Sequence, residues 1–149
     1  DQALAQSDIL IRNAMQALKD EEAILLDKNL SPYQEEQRLD RIRRHKVRIA
    51  EMRGLRANIF FEIGRFAESV AELDEVLQRL DTSRYAEYFN RAEAKVALGD
   101  LDGAKADYLT FLRRSVTRAE QSRVAEARTR LQELGVDVDK LIELDLERL

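Results

Sequence analysis

The chain has 149 residues, which is enough for one domain with its own apolar core. It carries 25 lysines and arginines against 29 aspartates and glutamates, for a formal net charge of −4, and it has no cysteine. This composition excludes disulfides and thiolate chemistry, and no apolar run approaches the roughly 18 residues of a membrane span, so we expect a soluble chain.

Five glycines and one proline among many helix-forming residues predict an all-α fold without strands. We expect the first helix over residues 2–28, where a wide apolar stripe recurs at seven-residue spacing. The stripe consists of Leu4, Ile11, Leu18 and Leu25, widened by Leu10, Ala14, Ala17 and Ile24. A stripe this wide favours packing inside a helical bundle over a thin two-stranded seam.

The second helix is predicted to begin at residues 31–34, where serine is the cap, proline lies in the first turn and glutamine completes a capping box. The sequence beyond Pro32 predicts either one long helix to Ile63 or a bend near Ala50.

Residues 53–80 and 88–115 repeat one pattern 35 residues apart. Each copy has a small residue inside a first helix, a glycine at its end, and small and large residues spaced along a second helix. The matched pairs are Arg56/Arg91, Ala57/Ala92, Ile63/Leu98, Gly64/Gly99, Phe66/Leu101, Ser69/Ala104, Ala71/Ala106, Leu73/Tyr108 and Leu77/Leu112. Self-similarity at this period indicates stacked helical hairpins, with the glycines supplying left-handed helix ends.

These residues resemble the tetratricopeptide repeat family, in particular its bacterial-type members. The second copy matches it at residues 86–92 and 97–101 and at Ala104, Tyr108 and Phe111. The first copy matches it more loosely, at Ala57, Phe60, residues 64–66, Ser69, Leu73 and Val76. The resemblance implies a short superhelix of antiparallel hairpins in a single domain over residues 1–149. Its parts would be an N-terminal helical hairpin over 1–49, two repeats over 50–118 and capping helices over 119–149.

The last third of the chain predicts two more helices. Thr117, Arg118, Ala119 and Glu120 form a second capping box, and the helix that it opens is expected to end at Gly135. A short final helix should then begin at Val136 or Asp137, and its inward residues would be Val138, Leu141, Ile142 and Leu149.

Charge is arranged in blocks along the chain. Residues 38–56 hold eight lysines and arginines and His45 against two acidic residues, and residues 113–130 hold six arginines against two glutamates. Acidic stretches lie between and after these blocks. The alternation predicts helices that neutralise each other across their contacts, and the other interpretation is a basic surface for an acidic partner.

Few residues point to catalysis. His45 is the one histidine, and its position between Ile42 and Ile49 predicts an imidazole at the edge of an apolar stripe. A zinc site would need more histidine or cysteine ligands, and no glycine-rich phosphate loop is present. We therefore expect no catalytic residue, no metal site and no cofactor, and we do not expect an enzyme.

The resemblance also implies a binding site, because the first helices of such repeats line a groove that receives an extended peptide. The corresponding residues here are Leu55, Asn58, Glu62, Ala86, Phe89, Asn90, Glu93 and Ala97. Among them, Asn58, Phe89, Asn90 and Glu93 are expected on helix faces that repeat packing leaves free. Asn58 and Asn90 match asparagines with which some members bind a peptide backbone or its terminal carboxylate, since an amide can both donate and accept. Gly54 stands where a basic partner is expected, which argues against a full carboxylate clamp. The other interpretation of these asparagines is a role in helix-to-helix packing alone.

The predicted function is that of a non-catalytic scaffold or adaptor that binds another protein or peptide and has no small-molecule substrate. One alternative is a homodimer formed through the N-terminal helices. Another is nucleic-acid binding through residues 38–56. The scarcity of aromatic residues in that block and a pI near 5.2 argue against it. Asp1 is compatible with a removed leader, a processed N-terminus or a trimmed chain, so the compartment is open between the cytoplasm and export.

Overall fold

The computed structural model describes residues 2–26, 28–81, 83–115 and 121–141, and these residues contain helices and no strand. The helices are α1 (Gln2–Leu25), α2 (Pro32–Glu62), α3 (Phe66–Glu75), α4 (Ala86–Leu98), α5 (Leu101–Arg114) and α6 (Gln121–Glu133). A π-helical turn, Val76–Leu80, continues α3, and residues 138–141 form a further helical turn. The predicted all-α fold is confirmed.

The chain divides into two compact units, Asp1–Ser83 and Arg84–Leu149, here called unit 1 and unit 2. The division falls between the two copies of the repeat, and each unit is described by itself. The predicted superhelix and the limits 1–49, 50–118 and 119–149 stay predictions. No helix in the described ranges is long and apolar enough to cross a membrane.

The start of α2 follows the predicted capping box. The Ser31 hydroxyl accepts the Gln34 backbone N–H at 3.3 Å, and the Gln34 side chain accepts the Ser31 N–H at 2.9 Å. From Pro32 the helix is continuous to Glu62, so of the two predicted forms the single long helix is the one adopted. The first helix ends at Leu25, a few residues before the predicted end.

Unit 1 is built around the contact of α1 with α2. Leu18, Ile42 and Ile49 form its buried core, and Leu80 from the π-helical turn packs against them. Only part of the predicted α1 stripe is buried: Leu10 and Ile24 remain 55% and 40% exposed. One edge of the stripe therefore lies outside the core of unit 1.

Unit 2 has an aromatic core. Phe89, Tyr108 and Phe111 lie with Ala127 and Leu131 of α6 in one buried cluster. The capping box at residues 117–120 and the inward positions Ile142 and Leu149 lie outside the described residues. Val138, another predicted inward residue, is 3% exposed.

The three predicted helix ends use the same backbone geometry. Gly64, Gly99 and Gly135 have φ of 79°, 82° and 78°, the left-handed conformation that a residue without a Cβ adopts at least cost. After Gly64, the Arg65 N–H donates to the Phe60 carbonyl at 2.8 Å, and after Gly99 the Asp100 N–H donates to the Lys95 carbonyl at 2.9 Å. The two repeat copies therefore reverse the chain in the same way.

The small residues predicted at the helix contacts are fully buried. Ala57 and Ala92 are both 0% exposed, and Ala104 of α5 shares the core of unit 2 with Ala92. In unit 1 the Ser69 hydroxyl of α3 donates to the Ala57 carbonyl at 2.9 Å, which shows how closely α3 approaches α2.

Ala92→Leu should therefore overpack the α4–α5 contact and cost about 1–3 kcal/mol of unfolding free energy. The matched control is Ala97→Leu, which adds the same side chain to an exposed position of α4. Urea unfolding followed by circular dichroism measures both. Equal stability of the two variants would contradict the repeat alignment.

Candidate functional site

One face of α2 in unit 1 is left open by the core. Leu55, Asn58 and Glu62 are all exposed, Leu55 to 66%, and their spacing places them along one side of the helix. The neighbouring residues Arg56 and Ala57 point to other sides and are buried. These three side chains are therefore free of the packing within unit 1, and that they bind a peptide stays a prediction.

The same face continues toward the start of α2. Arg44, Val47, Arg48 and Glu51 line a shallow cleft there, and Val47 is 38% exposed. We call the row Arg44, Val47, Glu51, Leu55, Asn58 and Glu62 the open face of α2. It combines two exposed apolar side chains, one amide and charges of both signs.

Phe89 does not lie on such a face. It is 7% exposed, and its ring centre lies 5.7 Å from that of Tyr108 and 5.4 Å from that of Phe111, both at steep angles. The Arg123 guanidinium of α6 lies 5.8 Å from the same ring centre. The prediction that Phe89 lies on a face free of repeat packing is therefore wrong, because residues of α5 and α6 enclose the ring.

The polar residues predicted for unit 2 already have partners within the unit. The Asn90 amide donates to Glu87 at 2.9 Å, and Glu93 accepts hydrogen bonds from the Tyr108 hydroxyl and, at 3.2 Å, from Arg130 Nε. Burial, reinforced by the bond to Glu93, raises the pKa of Tyr108 well above its ordinary value. Glu93 thus ties α4 to α5 and α6.

Ala86 is half-buried and Ala97 is exposed on α4. At the repeat period of 35 residues Asn58 matches Glu93, so Asn58 and Asn90 do not occupy equivalent positions. That the unit 2 residues line a groove with those of unit 1 stays a prediction.

Each unit contains a buried ion pair at the same repeat position, which the sequence analysis did not find. In unit 1 the Arg56 guanidinium donates to Glu72 at 2.5 Å. In unit 2 the Arg91 guanidinium donates twice to Asp107, at 2.8 and 2.6 Å. The sequence contains a signal for these ion pairs, because Glu72 and Asp107 are 35 residues apart, as Arg56 and Arg91 are.

The basic block at residues 38–56 is largely neutralised inside unit 1. Seven of its eight cationic side chains take part in ion pairs: Arg38 and Arg41 with Glu21, Arg43 and Arg44 with Asp40, Lys46 with Glu22, and Arg53 and Arg56 with Glu72. The hydrogen bond from Arg38, at 2.6 Å, holds the pKa of Glu21 below its ordinary value. Five of these seven side chains pair with carboxylates of α1 or α3, which is the predicted neutralisation between helices, and the two pairs with Asp40 lie within α2. This pairing also reduces the charge that the block could offer to a nucleic acid.

Comparisons with other proteins add no assignment. No protein-family model matches the chain, and no curated protein and no solved structure matches it either. Any inference about function therefore rests on the geometry of the two units.

Proposed function

We propose that this chain is a non-catalytic interaction module of the tetratricopeptide type, which binds a segment of another protein along the open face of α2. The observation that carries the proposal is Leu55, a large apolar side chain that is 66% exposed in the last third of the long helix α2, whose opposite side is buried. Single exposed leucines are common on protein surfaces. Here Leu55 shares its face with Val47, an amide and charged ends, which is the composition of a small interface.

Each side chain on this face would have a distinct role. Val47 and Leu55 are eight residues apart, about 12 Å along the helix, so they could contact two apolar side chains of one bound segment. The Asn58 amide can donate to a peptide carbonyl and accept from a peptide N–H. Arg44 at one end and Glu62 at the other would favour a segment with the opposite charge order.

The test compares the affinity of one purified partner for two variants of the intact chain. Leu55→Ala combined with Asn58→Ala should weaken binding about tenfold or more, because an apolar anchor and a hydrogen bond together are worth at least about 1.4 kcal/mol. The control is Leu39→Ala, which removes a leucine that is 45% exposed elsewhere on α2. Isothermal titration calorimetry measures both affinities. Equal affinities for the double variant and the control would contradict the proposal.

Self-association through α1 is the second candidate. Leu10 and Ile24, exposed to 55% and 40%, lie two heptads apart and therefore on the same side of the helix. Two copies packed along this edge would bury it. Sedimentation equilibrium tests this idea on the parent and on the double variant Leu10→Glu with Ile24→Glu. Self-association through α1 requires a dimeric parent and a monomeric variant. A monomeric parent at high micromolar concentration would rule it out.

A further inference from the structure

A second surface of unit 1 concentrates positive charge. A cleft of about 310 Å³ is lined by residues of α1 and α2, among them four cationic side chains. Arg12 and Lys19 come from α1, and Arg53 and Arg56 come from α2. The lining contains one carboxylate, that of Asp8. None of these residues belongs to the open face of α2.

The two cations of α1 are not neutralised. Among the described residues, neither Arg12 nor Lys19 takes part in an ion pair or a side-chain hydrogen bond. Both are exposed, and a separation of seven residues places them on the same side of α1. Their charges therefore face the mouth of the cleft.

The two cations of α2 are buried and incompletely bonded. The side chains of Arg53 and Arg56 are only 13% and 10% exposed, and both share the carboxylate of Glu72. The Nε atoms of both arginines are buried without a hydrogen-bond partner. Arg53 Nη2 donates at 3.2 Å to the Met15 sulfur, a weak acceptor, and Met15 also lines the cleft.

The charge balance of the cleft favours an anion. Four cationic groups face the two carboxylates of Asp8 and Glu72, so two positive charges remain. Glu72 and Asp8 balance the buried Arg53 and Arg56, so the two excess charges are those of Arg12 and Lys19 at the exposed rim. A ligand oxygen near Met15 would give Arg53 a charged acceptor in place of a thioether.

We propose that this cleft binds a phosphoryl group. A phosphomonoester carries nearly two negative charges at neutral pH, which matches the two excess positive charges, and its oxygens suit the forked donors of arginine. Arg53 would bind from the floor of the cleft, and Arg12 and Lys19 from its rim. The cleft has room for more than the phosphoryl group itself, so the group can be part of a larger molecule. This site does not depend on the proposed function of the open face.

The test is a titration of the intact chain with inorganic phosphate and with phosphoserine at constant ionic strength, followed by calorimetry. Both should bind saturably. Arg12→Gln with Lys19→Gln should weaken binding by roughly tenfold or more, because two charge-assisted contacts are lost while exposed residues alone are changed. The charge-matched control is Arg43→Gln with Arg44→Gln, whose side chains are 76% and 71% exposed and line no part of the cleft. Arg12→Lys with Lys19→Arg keeps both charges and should retain binding.

Three results would overturn the proposal. They are the absence of saturable binding, an equal loss of affinity in the control variant, and equally tight binding of the dicarboxylate succinate. Tighter binding of phosphoserine than of inorganic phosphate supports a group attached to a larger molecule. Equal affinity for both supports free phosphate as the ligand, and either outcome is consistent with a phosphoryl site.

Discussion

Replacing Asp107 with alanine should lower the unfolding free energy of the protein by about 3–5 kcal/mol, the usual loss when one partner of a buried ion pair is removed. Asp107 is 4% exposed, and it accepts two hydrogen bonds from Arg91. The Lys95 ammonium lies 2.8 Å from the same carboxylate. Without Asp107, two cations remain in a largely buried site with no carboxylate between them.

The matched control is Asp102→Ala on the same helix. The Asp102 side chain is fully exposed, and its ion pair with Lys105 is long, at 3.7 Å. Its removal should change stability by about 0.5 kcal/mol or less. Guanidinium unfolding followed by circular dichroism measures both variants. If Asp107→Ala is no more destabilising than Asp102→Ala, the buried pair does not stabilise unit 2.

Phe89→Ala should cost about 3–5 kcal/mol, as is usual when a buried aromatic side chain is truncated in a packed core. The ring packs against Tyr108 and Phe111, and its loss leaves a cavity beside them in the core of unit 2. Leu98→Ala is the control, because Leu98 lies on the same helix and is 50% exposed.

The same variant separates two roles of the ring. Truncation of a core residue lowers the midpoint of chemical unfolding. Truncation of a residue that lines a groove lowers the affinity for the partner and leaves the midpoint unchanged. If the unfolding midpoint of Phe89→Ala equals that of Leu98→Ala, Phe89 is not a core residue, and its role as a groove residue is favoured instead.

Local features of the fold were predictable because neighbouring residues determine them. Ser31 and Gln34 define the start of α2 by bonding to each other's backbone. Gly64 and Gly99 define two chain reversals because both adopt the left-handed conformation. The buried alanines followed from the repeat period, which relates positions in the two copies without reference to distant contacts.

The placement of Phe89 was not predictable in the same way. Helical periodicity assigns a residue to a side of its own helix, but which other helix covers that side depends on residues far along the chain. Here Phe111 of α5 and Arg123 of α6 supply that cover. Leu55 was predictable by the same reasoning only because no described residue of unit 1 covers its side of α2.

The ion pairs and the cleft were missed for different reasons. Charges counted in blocks did not reveal the individual pair of Glu72 with Arg56, although Glu72 and Asp107 are separated by the repeat period of 35 residues. The cleft with Arg12 and Lys19 arises from the packing of α1 against α2, and α1 forms no part of the repeat pattern found in the sequence.

The most direct test of the central proposal is site-specific photo-cross-linking of the purified complex with its partner. A photoreactive residue is placed at position 55, 58, 39 or 10 of the intact chain, and the cross-linked peptides are identified by mass spectrometry. Binding along the open face of α2 predicts that positions 55 and 58 react with one segment of the partner and that position 39 does not. Reaction from position 10 alone, or from position 39 as strongly as from 55, would contradict it.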